Sequence, residues 1–150
     1  SGFLRAGDTR SEVDIKSFAK NWAIDAFTWT PLDVQDRLKK TLLLVDDKAK
    51  ASAKETLRIE QRAKQVQQGF SGRVYDDPKM QDKEPTVLIL NPGKKPIEVL
   101  VTLDRYVIAP DGTKQEMGRI HVNLVLKEVP RNPDNLSGLL IVDARGSEKL

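Results

Sequence analysis

The sequence predicts an α+β domain in which three N-terminal helices pack on one face of a curved antiparallel sheet. Two patterns along the chain predict this class. Before Gly69 the apolar residues recur every three or four positions, as they do on the buried face of a helix. After Gly69 they alternate with polar residues, as in strands that bury one face. Helices followed by a run of strands is the order in which helices cover a single sheet.

Length and composition limit the classes of protein to consider. At 150 residues the chain is expected to form one domain over residues 11–145, with flexible tails at 1–10 and 146–150. The absence of cysteine excludes disulfides, thiol nucleophiles and Cys-ligated metals, and the single histidine excludes a two-imidazole site. A net charge of +3 is too small to predict nucleic-acid binding by itself. No motif for a cofactor or a metal ion is present, so neither is expected.

Capping residues mark the first two helices. Ser11 is placed to cap the first, and the apolar residues that follow at helical spacing predict its buried face: Ile15, Phe18, Trp22 and Ala26. A second start is predicted at Thr30-Pro31-Leu32-Asp33, because Thr30 can accept from free amides and Pro31 suits a first turn. Its apolar stripe consists of Val34, Leu38, Leu42 and Val45.

A third helix is expected over residues 48–68, with Gly69 as its C-terminal cap. Its inner face is expected to carry Ala49, Ala53, Ala63 and Val66.

A row of basic residues recurs at a spacing of four along this third helix: Lys50, Lys54, Arg58 and Arg62. Two interpretations stay open. The row is either an electropositive ridge that faces DNA or an acidic partner, or the solvated face of an amphipathic helix. No aromatic residues interleave with the row to stack bases, which weighs against nucleic acid.

Five strands are expected after Gly69, at residues 70–76, 86–90, 97–109, 118–129 and 136–144. The turn sequences Asn91-Pro92-Gly93 and Ala109-Pro110-Asp111-Gly112 predict antiparallel hairpins on either side of the third strand. After Leu103 the apolar positions shift to Tyr106 and Ile108. This change of phase indicates a β-bulge near Asp104 and Arg105, which would curve the sheet.

His121 is the most evident candidate for catalysis. One register of the predicted hairpin places Asp104 opposite His121, where the two could act as a general base, and another places Asp104 opposite Arg119. An exposed cross-strand polar pair is the competing interpretation, because no nucleophile or second acid completes a recognisable motif.

Trp29 precedes the second helix start and has two possible roles. It either staples the helix junction or is an exposed anchor for contact between copies of the chain.

The order and lengths of these segments resemble those of a known protein family over residues 12–144. Three segments carry the resemblance: Phe18-Ala19-Lys20-Asn21-Trp22-Ala23 in the first helix, the basic third helix running through Gln67-Gln68-Gly69-Phe70 into a strand, and the long strands near 97–108 and 120–127. Asn132-Pro133 and Gly138-Leu139 are similar to the turn before the family's last strand. The chain resembles the nuclear-transport-factor-two-like periplasmic domains of VirB-eight-like and TraE-family subunits of type IV secretion systems.

The resemblance implies a non-enzymatic scaffold or assembly subunit of a type IV secretion or conjugative DNA-transfer apparatus. It implies an inner-membrane protein with one membrane helix upstream of this fragment and a soluble domain in the periplasm. Its partners would be further copies of itself, other inner-membrane and pilus components of the channel, and transiently the transferred DNA. The alternative is a small enzyme or ligand-binding module of the same fold, with a pocket near Asp104 and His121.

Overall fold

The computed structural model describes residues 10–148, and the parts of the predicted tails at 1–9 and 149–150 lie outside the described residues. Within this range the helices are α1 (Glu12–Ala26), α2 (Val34–Leu43), α3 (Lys50–Thr56) and α4 (Ile59–Gln67). The strands are β1 (Ser71–Val74), β2 (Thr86–Ile89), β3 (Ile97–Ile108), β4 (Lys114–Glu128) and β5 (Leu139–Ser147). The helices pack against a curled antiparallel sheet, so the predicted α+β class is confirmed.

The first helix follows its sequence signals closely. The Ser11 hydroxyl accepts a hydrogen bond from the Asp14 amide at 3.1 Å, as expected of an N-cap. All the predicted inner residues of α1 are buried. Trp22 also donates its indole N–H to the Thr41 carbonyl at 3.1 Å, and this bond ties α1 to α2.

The second helix begins later than its cap sequence predicts. The Thr30 hydroxyl accepts from the Asp33 amide at 3.2 Å, and the Asp33 carboxylate accepts from the Thr30 amide at 2.6 Å. This reciprocal pair closes a turn, and the helix starts only at Val34. Leu38 and Leu42 are only half-buried, so the outer side of the predicted stripe stays open to solvent.

The predicted third helix is wrong as a single element. A 3₁₀ turn at Asp47–Ala49 leads into α3, and the chain then breaks at Arg58, whose φ of 51° is left-handed. The break turns the later residues, so Ala63 is exposed where an inner position was expected and Arg62 is buried. The end is as predicted: Gly69 has φ 81°, and the Phe70 amide donates back to the Gln65 carbonyl in a Schellman arrangement.

The sheet has the order β1-β3-β4-β5. Strand β2 pairs with the same edge of β3 as β1 does: β1 lies along residues 105–108 of β3, and β2 along residues 99–102. A β-bulge lies at the predicted level of the β3–β4 pair, next to Arg105, but its extra residue is in β4 and not in β3. Arg105 pairs with Gly118 and Tyr106 with Glu116, so Met117 is the extra residue of β4. The phase of β3 does not change, and Arg105 and Val107 stay on the buried face while Tyr106 and Ile108 lie opposite. The predicted phase change is therefore wrong.

The last strand runs later at both ends than predicted. Gly146 pairs with Val122 and Ser147 with His121, so these two residues belong to the sheet and not to the predicted tail. Arg10, also placed in a tail, is buried and donates to the carbonyls of Val129 (2.8 Å) and Ser137 (2.9 Å).

The core lies between the helices and the inner face of the sheet. Its fully buried strand residues come from β3, β4 and β5, and they are capped by the small side chains Ala19, Ala23 and Ala53 of the helices. Small residues at these positions let the helices approach the sheet closely.

Candidate interaction surfaces

The structure does not bring Asp104 and His121 together. Thr102 is the partner of His121, and its hydroxyl lies 2.9 Å from the imidazole Nδ1. Asp104 pairs with Arg119, whose guanidinium lies 3.1 Å from the carboxylate. The second of the two predicted registers is therefore the observed one, and the pair needed for a general base is not formed.

The basic row is not a single ridge, because the helix that carries it is broken at Arg58. Lys50 pairs with Asp47 at 2.8 Å, and Lys54 is exposed. Arg62 is only 5% exposed, and it donates to the carbonyls of Ala26 (2.9 Å) and Leu57 (3.3 Å). The prediction that all four side chains face a partner is wrong for Arg62.

Trp29 is a packing residue and not an exposed anchor. It is 4% exposed, and its backbone exchanges two hydrogen bonds with Gly72, at 3.1 and 2.9 Å. A Cβ at Gly72 would clash with the indole nitrogen, so the ring fills the space that this glycine leaves. The Arg62 guanidinium lies 5.5 Å from the ring centroid. The exposed anchor is therefore wrong, and these contacts join Trp29 to β1 and α4, whereas the predicted staple would join the first two helices.

A small cleft of about 30 Å³ lies between α4 and the β1–β3 edge, and four guanidinium-bearing residues line it: Arg58, Arg62, Arg73 and Arg105. We call it the arginine cleft. Arg73 donates to the carbonyls of Gly72 (2.9 Å) and Trp29 (3.2 Å). No carboxylate residue lines the described walls of the cleft.

Arg105 is, with Arg62, one of the two buried arginines of the cleft. It projects from the buried face of β3 and its guanidinium lies 5.8 Å from the Phe27 ring centroid. Burial lowers the pKa of Arg105, and the nearby Glu148 opposes that effect. Burial likewise lowers the pKa of Arg62, to about 10. Sequence reasoning missed this cluster, because Arg105 was placed at a bulge and not on the inner face.

An aromatic and charged cluster lies on the outer face of the sheet. The rings of Tyr75 and Tyr106 are 4.6 Å apart, and the Lys114 ammonium lies over both. The Tyr75 hydroxyl donates to Glu116 at 2.5 Å. This bond raises the pKa of Tyr75 to about 12 and lowers the pKa of Glu116. Each cation here already has a ring or a carboxylate partner.

Two open grooves flank α2. One, of about 530 Å³, runs between α1 and α2 over Phe18 and Trp22, with Asp14 and Asp36 among its rim residues. The other, of about 520 Å³, runs between α2 and α4 over Leu38, Leu42 and Ile59, with Lys39 and Lys54 at its rim. Apolar floors with charged rims suit protein segments that dock as helices.

Within residues 10–148, no group of three or more acidic or histidine side chains is positioned to hold a metal ion. No helix in this range is long and apolar enough to cross a membrane.

Comparison with solved structures shows likeness over nearly the whole chain. The periplasmic domain of DotI matches with a TM-score of 0.69 at 15% identity, covering 93% of this chain and 96% of that one. The soluble domain of the type IV secretion protein TrwG from Bartonella grahamii matches with a TM-score of 0.67 at 11% identity, covering 95% and 98%. VirB8 from Agrobacterium tumefaciens matches with a TM-score of 0.64 at 12% identity, covering 93% of each chain.

The chain has the VirB8-like fold. No protein-family model and no curated protein matches the sequence. At these identities the likeness shows the fold alone, and at that level the predicted resemblance is confirmed. Within this VirB8-like fold the arginine cleft lies where α4 meets the sheet, and the two grooves lie between helices.

Proposed function

We propose that this chain is the periplasmic domain of a non-enzymatic scaffold subunit of a type IV secretion or conjugative apparatus. The observation that carries the proposal is the end-to-end match with such domains, which leaves almost none of either chain uncovered. These matches cover 93% and 95% of this chain, which supports a role for it like that of the matched domains.

The surfaces support a role in protein contacts. Each flank of α2 offers an apolar groove, one with both carboxylates and basic groups at its rim and one with lysines. A subunit that joins several components of a channel needs more than one such surface, and different rim charges would select different partners. The proposed partners are further copies of this chain and other inner-membrane and pilus components.

The decisive experiment deletes the gene in its host and measures substrate transfer. Transfer should be lost and should be restored by the full-length gene with its own membrane segment. His121→Ala should restore transfer as well as the unaltered gene does, because this imidazole contacts Thr102 and completes no catalytic set. Normal transfer in the deletion strain would exclude the proposal, and loss of transfer in His121→Ala with a folded domain would revive an enzymatic role.

The proposed location has a separate test. In spheroplasts of cells expressing the full-length protein, added protease should digest this domain, and it should spare the domain in intact cells. A domain that is protected in spheroplasts would lie on the cytoplasmic side and would contradict the periplasmic assignment.

A transient contact with the transferred DNA is part of the proposal, and it now rests on Lys50 and Lys54, since Arg62 is buried. Binding of single-stranded DNA should weaken steeply with salt, because counterions are released on binding. Lys50→Glu with Lys54→Glu should reduce it without unfolding the domain. Equal binding by this double variant and by the unaltered domain would leave these lysines as a solvated face.

A further inference from the structure

The arginine cleft holds more positive charge than its surroundings neutralise. Four guanidinium groups line it, and the nearest carboxylate is that of Glu148 at the end of β5. Glu148 lies 2.7 Å from Arg58 and 3.6 Å from Arg105, and its side chain is 50% exposed. One half-exposed carboxylate therefore serves two arginines.

Arg105 is the group for which this shortage matters. The residue is 6% exposed, and its buried Nη2 atom lies 3.6 Å from the Glu148 carboxylate, which is within ion-pair range but too far for a hydrogen bond. Its Nε atom reaches only the Gly118 carbonyl, at 3.5 Å. A buried guanidinium that lacks a close anion is costly, because desolvation is not repaid by charge pairing.

We propose that the arginine cleft is a carboxylate-binding site, in which an acidic side chain of a partner protein replaces Glu148 and bonds Arg58 and Arg105. The gain that the exchange provides is a hydrogen bond to the Nη2 atom of Arg105, which Glu148 at 3.6 Å does not form, since charge-assisted bonds to guanidinium are strong. Assignment of the ligand to a secretion partner rests on the proposed function, whereas the anion site does not.

The size of the cleft favours a carboxylate over a nucleotide. Its volume of about 30 Å³ leaves no room for a base or a sugar, whereas a side-chain carboxylate needs only to reach the exposed Arg58 side chain at its edge. Glu148 already shows that a side-chain carboxylate can reach Arg58 at the mouth. The planar fork of arginine also matches the two oxygens of a carboxylate.

The test uses the domain itself and follows the Nε–Hε signals of Arg58 and Arg105 by NMR. The probes are acetyl-Gly-Glu-Gly-amide, its Gln counterpart, inorganic phosphate and oligothymidylate, at constant ionic strength. The Glu peptide should bind weakly to the unaltered domain, with a dissociation constant of about 1 mM, and the Gln peptide should not bind. Glu148→Gln removes the competing carboxylate and should tighten binding of the Glu peptide by about tenfold.

Two variants and a control complete the design. Arg105→Met should abolish binding of the Glu peptide, and Arg58→Gln, at the exposed mouth, should weaken it by about tenfold in case the first variant does not fold. Arg145→Gln is the matched control, because Arg145 is an exposed arginine of β5 that pairs with Asp143 at 3.0 Å. It should bind as the unaltered domain does.

The proposal is overturned if Glu148→Gln gains no affinity, or if Arg58→Gln binds as tightly as Arg145→Gln. A shift of the same signals by phosphate or oligothymidylate but not by the Glu peptide would also overturn it, in favour of a phosphate site. These results are separate from the deletion phenotype: loss of transfer with no peptide binding would remove the cleft and keep the proposed function.

Discussion

Arg58 combines an unfavourable backbone conformation with a side chain that pairs with Glu148. It is the one non-glycine residue with positive φ among residues 10–148, and a bulky residue in that conformation costs roughly 1–2 kcal/mol. This left-handed conformation lies between the end of α3 and the start of α4, where the chain changes direction, and it places the Arg58 side chain next to Glu148. Strain of this kind is retained where the surrounding structure requires it.

The backbone cost at Arg58 can be separated from its ion pair with two substitutions. Arg58→Gly and Arg58→Ala both remove the pair with Glu148, but only glycine adopts positive φ without strain. We therefore expect Arg58→Gly to be more stable than Arg58→Ala by about 1 kcal/mol, measured by urea unfolding. Equal stability of the two variants would show that the left-handed conformation at this position carries no strain.

The Tyr75–Glu116 bond predicts a pH dependence at the outer face. Because the pKa of Glu116 is lowered in the folded state, its contribution to stability is present above the ordinary value of 4.5 and is lost as pH falls through the lower folded value. Because the pKa of Tyr75 is raised to about 12, its contribution is present below 10.0 and is lost as pH rises toward 12.

Tyr75→Phe should therefore reduce stability near neutral pH by less than about 1 kcal/mol, since Glu116 is half-exposed and screened. The difference from the unaltered domain should shrink both below pH 4.5 and above pH 10, in the direction that the two pKa shifts require. Tyr106→Phe is the control. It removes a hydroxyl from the ring that lies against Tyr75, and it leaves the hydrogen bond from Tyr75 to Glu116 in place. A pH-independent difference for Tyr75→Phe would contradict this account.

At the scale of the elements, the outer edge of β5 is covered by the helical layer. The Ile141 amide donates to the Leu44 carbonyl at 2.9 Å, and the Ile141 carbonyl accepts from Asp46 at 2.7 Å. Further along, the Thr56 hydroxyl donates to the Ala144 carbonyl at 3.0 Å and accepts from the Gly146 amide at 3.1 Å. Covered edges do not pair with other chains, so this side of the sheet is closed to strand addition.

Thr56→Val tests how much that cover contributes, since it keeps the shape of the side chain and removes its hydroxyl. Two backbone groups of β5 would lose their partner, and the domain should lose about 1–3 kcal/mol of stability. Amide exchange at Gly146 should accelerate more than exchange in β3. Thr86→Val, at an exposed position of β2, should change stability by less than about 0.5 kcal/mol. Similar losses in both variants would assign the effect to replacing a hydroxyl with a methyl group in general and not to the edge.

The elements that sequence predicted well are those set by neighbouring residues. Ser11 caps the start of α1 and Gly69 the end of α4, through hydrogen bonds within a few residues, so both caps can be predicted from the local sequence. Trp29 depends on Gly72, far along the chain, and no local pattern shows that contact. The break at Arg58 is not marked by a glycine or a proline. The two residues before it, Thr56 and Leu57, are buried, and their packing holds the last turn of α3 in place.

The candidate site was the least predictable part for a related reason. Apolar Tyr106 and Ile108 were assigned to the inner face after Leu103, whereas the extra residue Met117 in β4 lets β3 keep its alternation. Arg105 therefore points into the protein, although a charged side chain is expected at the surface. A buried charge contradicts the pattern from which burial is inferred, so Arg62 and Arg105, the buried arginines of the cleft, are the ones that patterning misplaces.

At the scale of the whole molecule, the charge is nearly balanced and the apolar surface is dispersed. The large exposed apolar residues lie on separate elements, among them Leu32 (98% exposed), Leu136 (77%) and Leu88 (59%). Single exposed apolar residues do not form the continuous patch of an obligate interface. A net charge of +3 also provides little long-range repulsion between copies.

We therefore expect weak self-association of the isolated domain, with a dissociation constant in the micromolar range or weaker, about −8 kcal/mol or less favourable. Trp29, the aromatic anchor expected from the sequence, is buried, so the interface has to use smaller side chains and should be small and transient. Subunits that share a membrane need little intrinsic affinity, because anchoring raises their effective concentration. Sedimentation velocity over about a hundredfold range of concentration should show a shifting monomer–oligomer equilibrium. A single monomeric species at the highest concentration, or a dimer that persists at the lowest, would each contradict this expectation.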